Sequence, residues 1–152
     1  MKRLWIFDID GTLANNEHRI EHLKGKTKDW KSFFKDQSKD QPYEPVMHML
    51  KVLVEQGDRC IIITGRDEEH REESMNWLYN HYGPFPTFDL IMRPRGEKED
   101  DDTLKLKLLD SWMKDNPGHK VFGIFEDRHR VIDAWREAGY YVFECNQSRS
   151  EF

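Results

Sequence analysis

Four short apolar runs constrain this chain more than any other feature: Leu4–Ile9, Cys60–Thr64, Val121–Phe125 and Tyr140–Glu144. A fifth, weaker run is Phe88–Met92. The first, with Leu4, Trp5, Ile6 and Phe7 in succession, reads as a strand buried on both faces, since a strand with one wet face alternates apolar and polar residues. Amphipathic stretches of helical period separate the runs. In Pro45–Gln56, one apolar stripe is formed by Val46, Met49, Leu50, Leu53 and Val54, and Gly57 closes it. Asp67–His81, Asp101–Lys114 and Arg128–Ala138 follow the same scheme, with Trp77, Trp112 and Trp135 on their apolar sides. Strands alternating with helices imply crossover connections. The expected fold is therefore a doubly wound α/β domain, a mainly parallel sheet with helices on both faces. A length of 152 residues suits one such domain.

Residues 14–43 break the alternation. They are rich in Lys, Asp, Glu and Asn, with aromatics at Trp30, Phe33 and Phe34. We read them as a small cap-like insertion after the first strand, carrying a short helix near Asp29–Lys35. The stretch HYGPFPTF (His81–Phe88) reads as a rigid connection. EKEDDD (Glu97–Asp102) reads as a solvated turn and helix start, where acids are favourable.

Charged residues make up 35% of the chain and apolar ones 37%, but nine Phe, five Tyr and five Trp supply enough bulk for a core. The net charge of -5 argues against electrostatic wrapping of duplex nucleic acid, while leaving room for a small basic site for a strand end or a nucleotide. Cys60 and Cys145 stand in or beside apolar runs and outside any CxxC pair, so they read as buried free thiols in a reducing cytoplasm. Lys2-Arg3 leads into the first run without a signal-peptide pattern, and no apolar run approaches the length of a membrane span.

In a parallel sheet, ligands bind beyond the carboxyl ends of the strands. Three polar clusters follow directly on apolar runs: Asp8 and Asp10, Thr64-Gly65-Arg66, and Glu126-Asp127. All three are expected at one edge. Two carboxylates one residue apart point to opposite faces of an ideal strand, and Gly11 permits a sharp turn that re-aims them. One then ligates a hard cation while the other faces substrate. With a third acid from another strand, the group offers oxygen ligands suited to magnesium, without the thiolates or imidazoles that zinc prefers. A carboxylate is also a nucleophile that forms an acyl phosphate, and a second one serves as general acid and base. Thr64 offers a hydroxyl to a phosphoryl oxygen, the amides near Gly65 an anion site at a helix start, and Arg66 a planar fork. Of Lys105 and Lys107, which point different ways on a helix, one at most reaches the site.

Taken in order, these motifs resemble the haloacid-dehalogenase-type (HAD) phosphohydrolases, whose Rossmann-like domain carries DxDGT, then Thr or Ser, then Lys, then an acidic pair. Here they are DIDGT (Asp8–Thr12), Thr64, Lys105 and Glu126-Asp127. The segments FDIDGTLANNEHR, TGRDE, DDTLKLKLLD and FEDRHRVIDAWREAGYYVFEC are most similar to the 3′-phosphatase domain of phage polynucleotide kinase-phosphatase enzymes. That resemblance implies a magnesium-dependent phosphatase of nucleic-acid repair, acting on phosphorylated nucleic-acid ends or nucleotides. It implies Asp8 as nucleophile, Asp10 as general acid–base, and Arg19 and Arg66 as phosphate contacts. Asp101 to Lys105 matches the family's Asp-x-x-x-Lys element. Metal would be held by Asp8, the Asp10 main-chain carbonyl and Asp127, with Glu126, where the family has Asp, reaching it directly or through water. No G-x-x-x-x-G-K-[ST] loop occurs in these residues, so the resemblance is to the phosphatase half alone.

Three alternatives stand beside these readings. The substrate is a 5′-nucleotide or a small metabolite, or the domain is a non-catalytic phosphate-binding module. Trp30, Phe33 and Phe34 either stack on a base or form a satellite core. His18 and His22, four apart, read as exposed rather than as a metal pair.

Overall fold

The protein is described here from a computed structural model, in which residues 1–83 and 89–146 are placed. The strands are β1 (Lys2–Phe7), β2 (Ala14–Asn15), β3 (Gln41–Pro42), β4 (Arg59–Asp67), β5 (Asp89–Arg93), β6 (His119–Glu126) and β7 (Val142–Glu144). The helices are α1 (Glu17–Ile20), α2 (Trp30–Lys35), α3 (Glu44–Glu55), α4 (Arg71–Tyr82), α5 (Asp101–Asp115) and α6 (His129–Glu137). Among the described residues, none of these helices is long and apolar enough to cross a membrane.

The main sheet is parallel throughout, in the order β5-β4-β1-β6-β7, and is the doubly wound α/β sheet expected. Side chains alternate across each strand. Leu4 and Ile6, Ile61 and Ile63, and Ile124 face one layer, where they meet Leu109 and Trp112 of α5 and Val131 and Trp135 of α6. Phe7, Ile62 and Phe125 face the other, against Met47 and Leu50 of α3 and Trp77 and Leu78 of α4. Both faces are covered, which is why the runs are continuously apolar.

Several boundaries move, for local reasons. β1 ends at Phe7, two residues early, because the amides of Thr12, Leu13 and Ala14 turn back onto the Ile9 carbonyl at 3.1, 3.0 and 2.9 Å. β4 runs past Thr64 to Asp67, and a 3-10 turn over Glu68–His70 follows, capped by the Asp67 carboxylate accepting the Glu69 N–H at 3.0 Å. The helix expected from Asp67 therefore begins at Arg71, and Thr64-Gly65 lie in extended chain rather than at a helix start. In α3 the buried residues are Met47, Leu50 and Leu53, whereas Met49, placed on the stripe by its spacing, faces solvent. Met47 belongs to one core with Ile9, Leu13 and Ala14 of the turn after β1 and with Phe7 and Ile62 of the sheet, and that sets the rotation of the helix. Cys60 is buried and Cys145 half-buried; both are free. Phe88 and most of the HYGPFPTF connection lie outside the described residues.

Within residues 14–43, β2 and β3 pair antiparallel, so the two ends of the segment meet. Between them, Ile20, Leu23 and Phe33 form a small core of their own. The Asp29 side chain caps α2 by accepting the Ser32 N–H at 3.1 Å.

The rotation of α3 is checked by paired truncations. Met47→Ala, at a site 1% exposed, is expected to cost about 2–5 kcal/mol in denaturant unfolding. Met49→Ala, 41% exposed, is expected to stay within about 0.5 kcal/mol of wild type. The reverse ranking would return Met49 to the core face.

Candidate active site

The sheet changes direction between β1 and β6: the chain leaves β1 toward β4 and β5, and leaves β6 toward β7. Such a switch point opens a crevice at the carboxyl ends of the strands. Asp8 follows β1 there, Glu126 ends β6, and Asp127 comes next. Their carboxylate oxygens lie within 4.8 Å of one another. From α5, Lys105 reaches in and donates to Asp8 Oδ1 at 3.1 Å and Glu126 Oε1 at 2.8 Å. Lys107 points outward to Glu99.

Three acids share one ammonium, and all are wholly or largely buried. Burial, with the charge of Glu126, pushes the Asp8 carboxyl well above the usual carboxylate range. Burial and Glu126 push Asp127 up to about 7. Burial works in the same sense on Glu126, but Lys105 outweighs it and holds that carboxylate ionised. Burial also opposes the charge of Lys105, and its acidic neighbours more than restore it. Carboxylates crowded to this degree, with no thiolate or imidazole in the cluster, suit a hard divalent cation.

Gly11 makes the cluster possible. Its φ is 80°, a left-handed conformation that favours glycine, and a Cβ there would lie 1.9 Å from Asp127 Oδ2. Thr12 Oγ1 donates to the other Asp127 oxygen at 3.4 Å.

Asp10 does not join the three acids. Arg66 holds it bidentately, Nε to Oδ2 at 3.0 Å and Nη2 to Oδ1 at 2.7 Å, and Arg19 Nη2 donates to Oδ1 at 2.5 Å. Burial favours the neutral acid here too, but the two guanidiniums overcome it and hold the Asp10 carboxyl well below its ordinary range.

Arg19 departs most from its expected place. The resemblance implies a phosphate contact, yet the side chain is fully buried behind Asp10. It donates to Asp40 twice, at 2.9 and 2.7 Å, and to the Phe33 carbonyl at 3.1 Å. Its surroundings make it a strut that orients Asp10. Arg66 lines the cleft, but it too spends its donors on protein: besides Asp10, Nη1 reaches Gln37 Oε1 at 2.7 Å and Ser74 Oγ at 2.9 Å.

Asp40, Gln37 and Ser74 carry no motif, and only their unexpected burial among charges gives them away. Asp40 also takes His18 Nε2 at 2.7 Å, and Asp36 takes His22 at 3.0 Å, so the two histidines have separate acidic partners.

Thr64 Oγ1 accepts the Arg66 N–H at 3.2 Å at the side of the cleft. Beside it, a Cβ on Gly65 would meet the Asp101 carboxylate at 2.5 Å, so the bare backbone admits Asp101. Asp101 in turn pairs with Arg93 and, at 2.9 Å, with Arg128. Asp8, Asp10, Thr64, Gly65, Arg66, Lys105, Glu126 and Asp127 thus all border one cleft of about 720 Å³; Arg19 lies behind its wall. Trp30, Phe33 and Phe34 form one side.

Comparison with known proteins accords with this arrangement. A family model of the polynucleotide kinase PNKP phosphatase domain matches residues 2–150. Over 136 residues the chain is 25% identical to a protein of Autographa californica nuclear polyhedrosis virus named as a bifunctional polynucleotide kinase/RNA ligase, covering 89% of this chain and 18% of that one. A chain in the solved Pnkp1/Rnl/Hen1 RNA repair complex superposes with a TM-score of 0.76 at 25% identity, over 95% of this chain and 42% of that one. The fold is shared with a class C acid phosphatase of Bacillus anthracis, solved with tungstate bound, at a TM-score of 0.65 and 13% identity, over 99% and 74% of the two chains. The chain therefore spans under half the length of the first two relatives.

Two outcomes follow from the acid cluster. Gly11→Ala would place a methyl inside the Asp127 carboxylate; loss of divalent-cation binding by calorimetry is expected, with a lowered melting temperature. Normal cation affinity would refute the close approach. The second concerns pH. Acids whose folded pKa is raised stabilise the metal-free fold at low pH and lose that contribution as pH rises from the ordinary carboxylate range to about 7. A cation competes with those protons, so magnesium is expected to raise the melting temperature more at pH 8 than at pH 5. An equal gain at both would mean that the cation binds elsewhere.

Proposed function

The chain belongs to the polynucleotide kinase PNKP phosphatase-domain family, and from that membership we propose that its cleft removes the 3′-phosphate from a polynucleotide end or a nucleotide, with magnesium and an aspartyl-phosphate on Asp8. The observation that carries this reading is the buried cluster of Asp8, Lys105, Glu126 and Asp127 at the sheet's switch point, beside an Asp10 held separately by arginines. The presence of a structural relative in a Pnkp1/Rnl/Hen1 RNA repair complex supports a nucleic-acid end as the substrate.

The carboxylates of Asp8, Asp127 and Glu126, with the Asp10 main-chain carbonyl, would hold the magnesium ion. When bound, it supplies positive charge beside the phosphoryl oxygens and lets an anion approach an anion. Burial and Glu126 favour the protonated form of Asp8, and Lys105, with the charge the cation would add, favours the ionised carboxylate that attacks. Its oxygen forms a bond to phosphorus as the bond from phosphorus to the 3′ oxygen breaks. Thr64 donates its hydroxyl to a phosphoryl oxygen.

Asp10 delivers a proton to the leaving oxygen. It then takes one from the water that attacks phosphorus and releases phosphate from Asp8. The two arginines keep Asp10 ionised before substrate arrives, the state required for the second step. For the first step it must gain a proton. A phosphoryl group beside the Arg66 fork draws on the same positive charge and shifts Asp10 in that direction. Arg19, buried behind, keeps the carboxyl aimed throughout.

Asp8→Asn retains shape and removes the nucleophile. Phosphate release from 3′-phosphorylated oligonucleotides is expected to fall to background, and a chelator is expected to do the same to wild type. Turnover by Asp8→Asn at the wild-type rate would refute the nucleophile. Faster wild-type release from 5′-phosphorylated oligonucleotides and mononucleotides than from their 3′ counterparts would reassign the substrate to 5′-nucleotides.

A further inference from the structure

The catalytic groups occupy only the floor of the cleft. A phosphoryl group fills a small part of about 720 Å³, a volume in the range that encloses whole organic ligands. The two sides above the floor differ in kind. On one, the arginines are engaged by acids: Arg93 with Asp101, and Arg130 with Asp100 at 2.5 Å. On the other, aromatic rings are stacked in series. Trp30 lies on Phe34 with centroids 5.9 Å apart and planes 24° apart, and Phe34 lies on His70 at 4.8 Å and 22°.

Trp30 is 42% exposed and borders the cleft, yet it is no part of the small core beneath, which is built from Ile20, Leu23 and Phe33 with Phe34 against it. The indole rests on Phe33 and Phe34 and still leaves much of its surface exposed at the cleft. A chain of contacts ties it to the floor of the cleft. Phe33 meets Trp30 edge-on at 5.6 Å, carries the Arg19 guanidinium 4.3 Å above its ring, and gives its carbonyl to Arg19 Nη1. Arg19 holds Asp10. One unbroken set of contacts runs from the indole to the acid–base carboxyl.

We propose that Trp30 is a nucleobase platform: the base of the nucleoside that carries the phosphate stacks on the indole while the phosphate sits on the floor. The proposal rests on the phosphatase reading above and adds what the enzyme recognises beyond the phosphate. Stacking is tolerant of base identity, because every base has a π face. The Trp30 wall therefore selects for a nucleoside as such rather than for a sequence. Lys28, whose ammonium lies 5.7 Å from the Trp30 centroid, adds a cation at the same rim for the next backbone phosphate. The split between the two expected roles of the aromatic trio is then physical: Phe33 is core and Trp30 is contact.

The test compares wild type, Trp30→Ala and Trp30→Phe on two 3′-phosphorylated oligonucleotides, one with an ordinary terminal nucleoside and one ending in a stable tetrahydrofuran abasic residue. In wild type the base-bearing substrate is expected to have the lower KM. Trp30→Ala is expected to shrink the ratio of kcat/KM between the two substrates by between about 5- and 150-fold, the span of one base–aromatic stack, mainly through KM. Trp30→Phe is expected to restore most of it. An unchanged ratio overturns the proposal, and so does an equal loss on both substrates, which is the mark of a purely structural role. Binding of a nucleoside 3′-phosphate to the Asp8→Asn protein, by calorimetry with and without Trp30→Ala, separates the two claims. If wild type releases no phosphate but nucleotide binding still depends on Trp30, the platform stands and the phosphatase reading falls. If turnover is normal and neither binding nor selectivity depends on Trp30, the reverse holds.

Discussion

Buried negative charge is the constraint on which the rest of this structure depends. Asp8, Asp10, Asp40, Glu126 and Asp127 are gathered at one edge of the sheet, and the cations inside with them are Lys105, Arg19 and Arg66. An unpaired buried charge is far too costly to persist, so each carboxylate must find a partner or a proton. The elements around the site can be understood by which partner they supply. The sheet brings β1 beside β6, α5 brings Lys105, and the segment between β2 and β3 brings Arg19 together with Asp40.

That segment does more than cover the cleft. It has its own small core, but its two ends are paired and its polar side chains are wired inward. Asp40 orients Arg19, Gln37 receives Arg66, and Trp77 of α4 donates its indole N–H to the Asp40 carbonyl at 2.8 Å. The carboxyl assigned to proton transfer is thus held by residues from a part of the chain that has no place in the sheet. The two halves of the chemistry are electrostatically separate: Asp8 and its neighbours are pushed toward protonation, while Asp10, two residues away, is pushed away from it. Opposite shifts hold two nearby carboxyls of one site in different protonation states.

Much of this is legible in the amino-acid sequence. The alternation of apolar runs with helical stretches implies the doubly wound parallel sheet, and the same feature points to the site, since polar clusters following three such runs have to meet at the strands' carboxyl ends. Helical spacing allows only one of Lys105 and Lys107 at the site, and the resemblance, not the spacing, singles out Lys105. The errors have local causes. Met49 was placed on the core face of α3 because spacing defines a stripe to within one residue and packing decides its centre. The helix after Thr64 begins late because Asp67 caps a 3-10 turn first, a choice between two hydrogen-bonding patterns that composition does not reveal.

The sequence by itself determined the layered α/β fold and the membership of the acidic floor, because both follow from periodicity and from what stands directly after a strand. Only the tertiary structure decided where Arg19 lies, that Asp40, Gln37 and Ser74 stand against the site, and that at the cleft Trp30 is exposed while Phe33 beside it is buried in the small core. Those assignments lie in or against residues 14–43, where no hydrophobic period orients side chains. There a guanidinium goes where buried carboxylates from distant parts of the chain draw it, and that becomes visible only once the chain has brought them together.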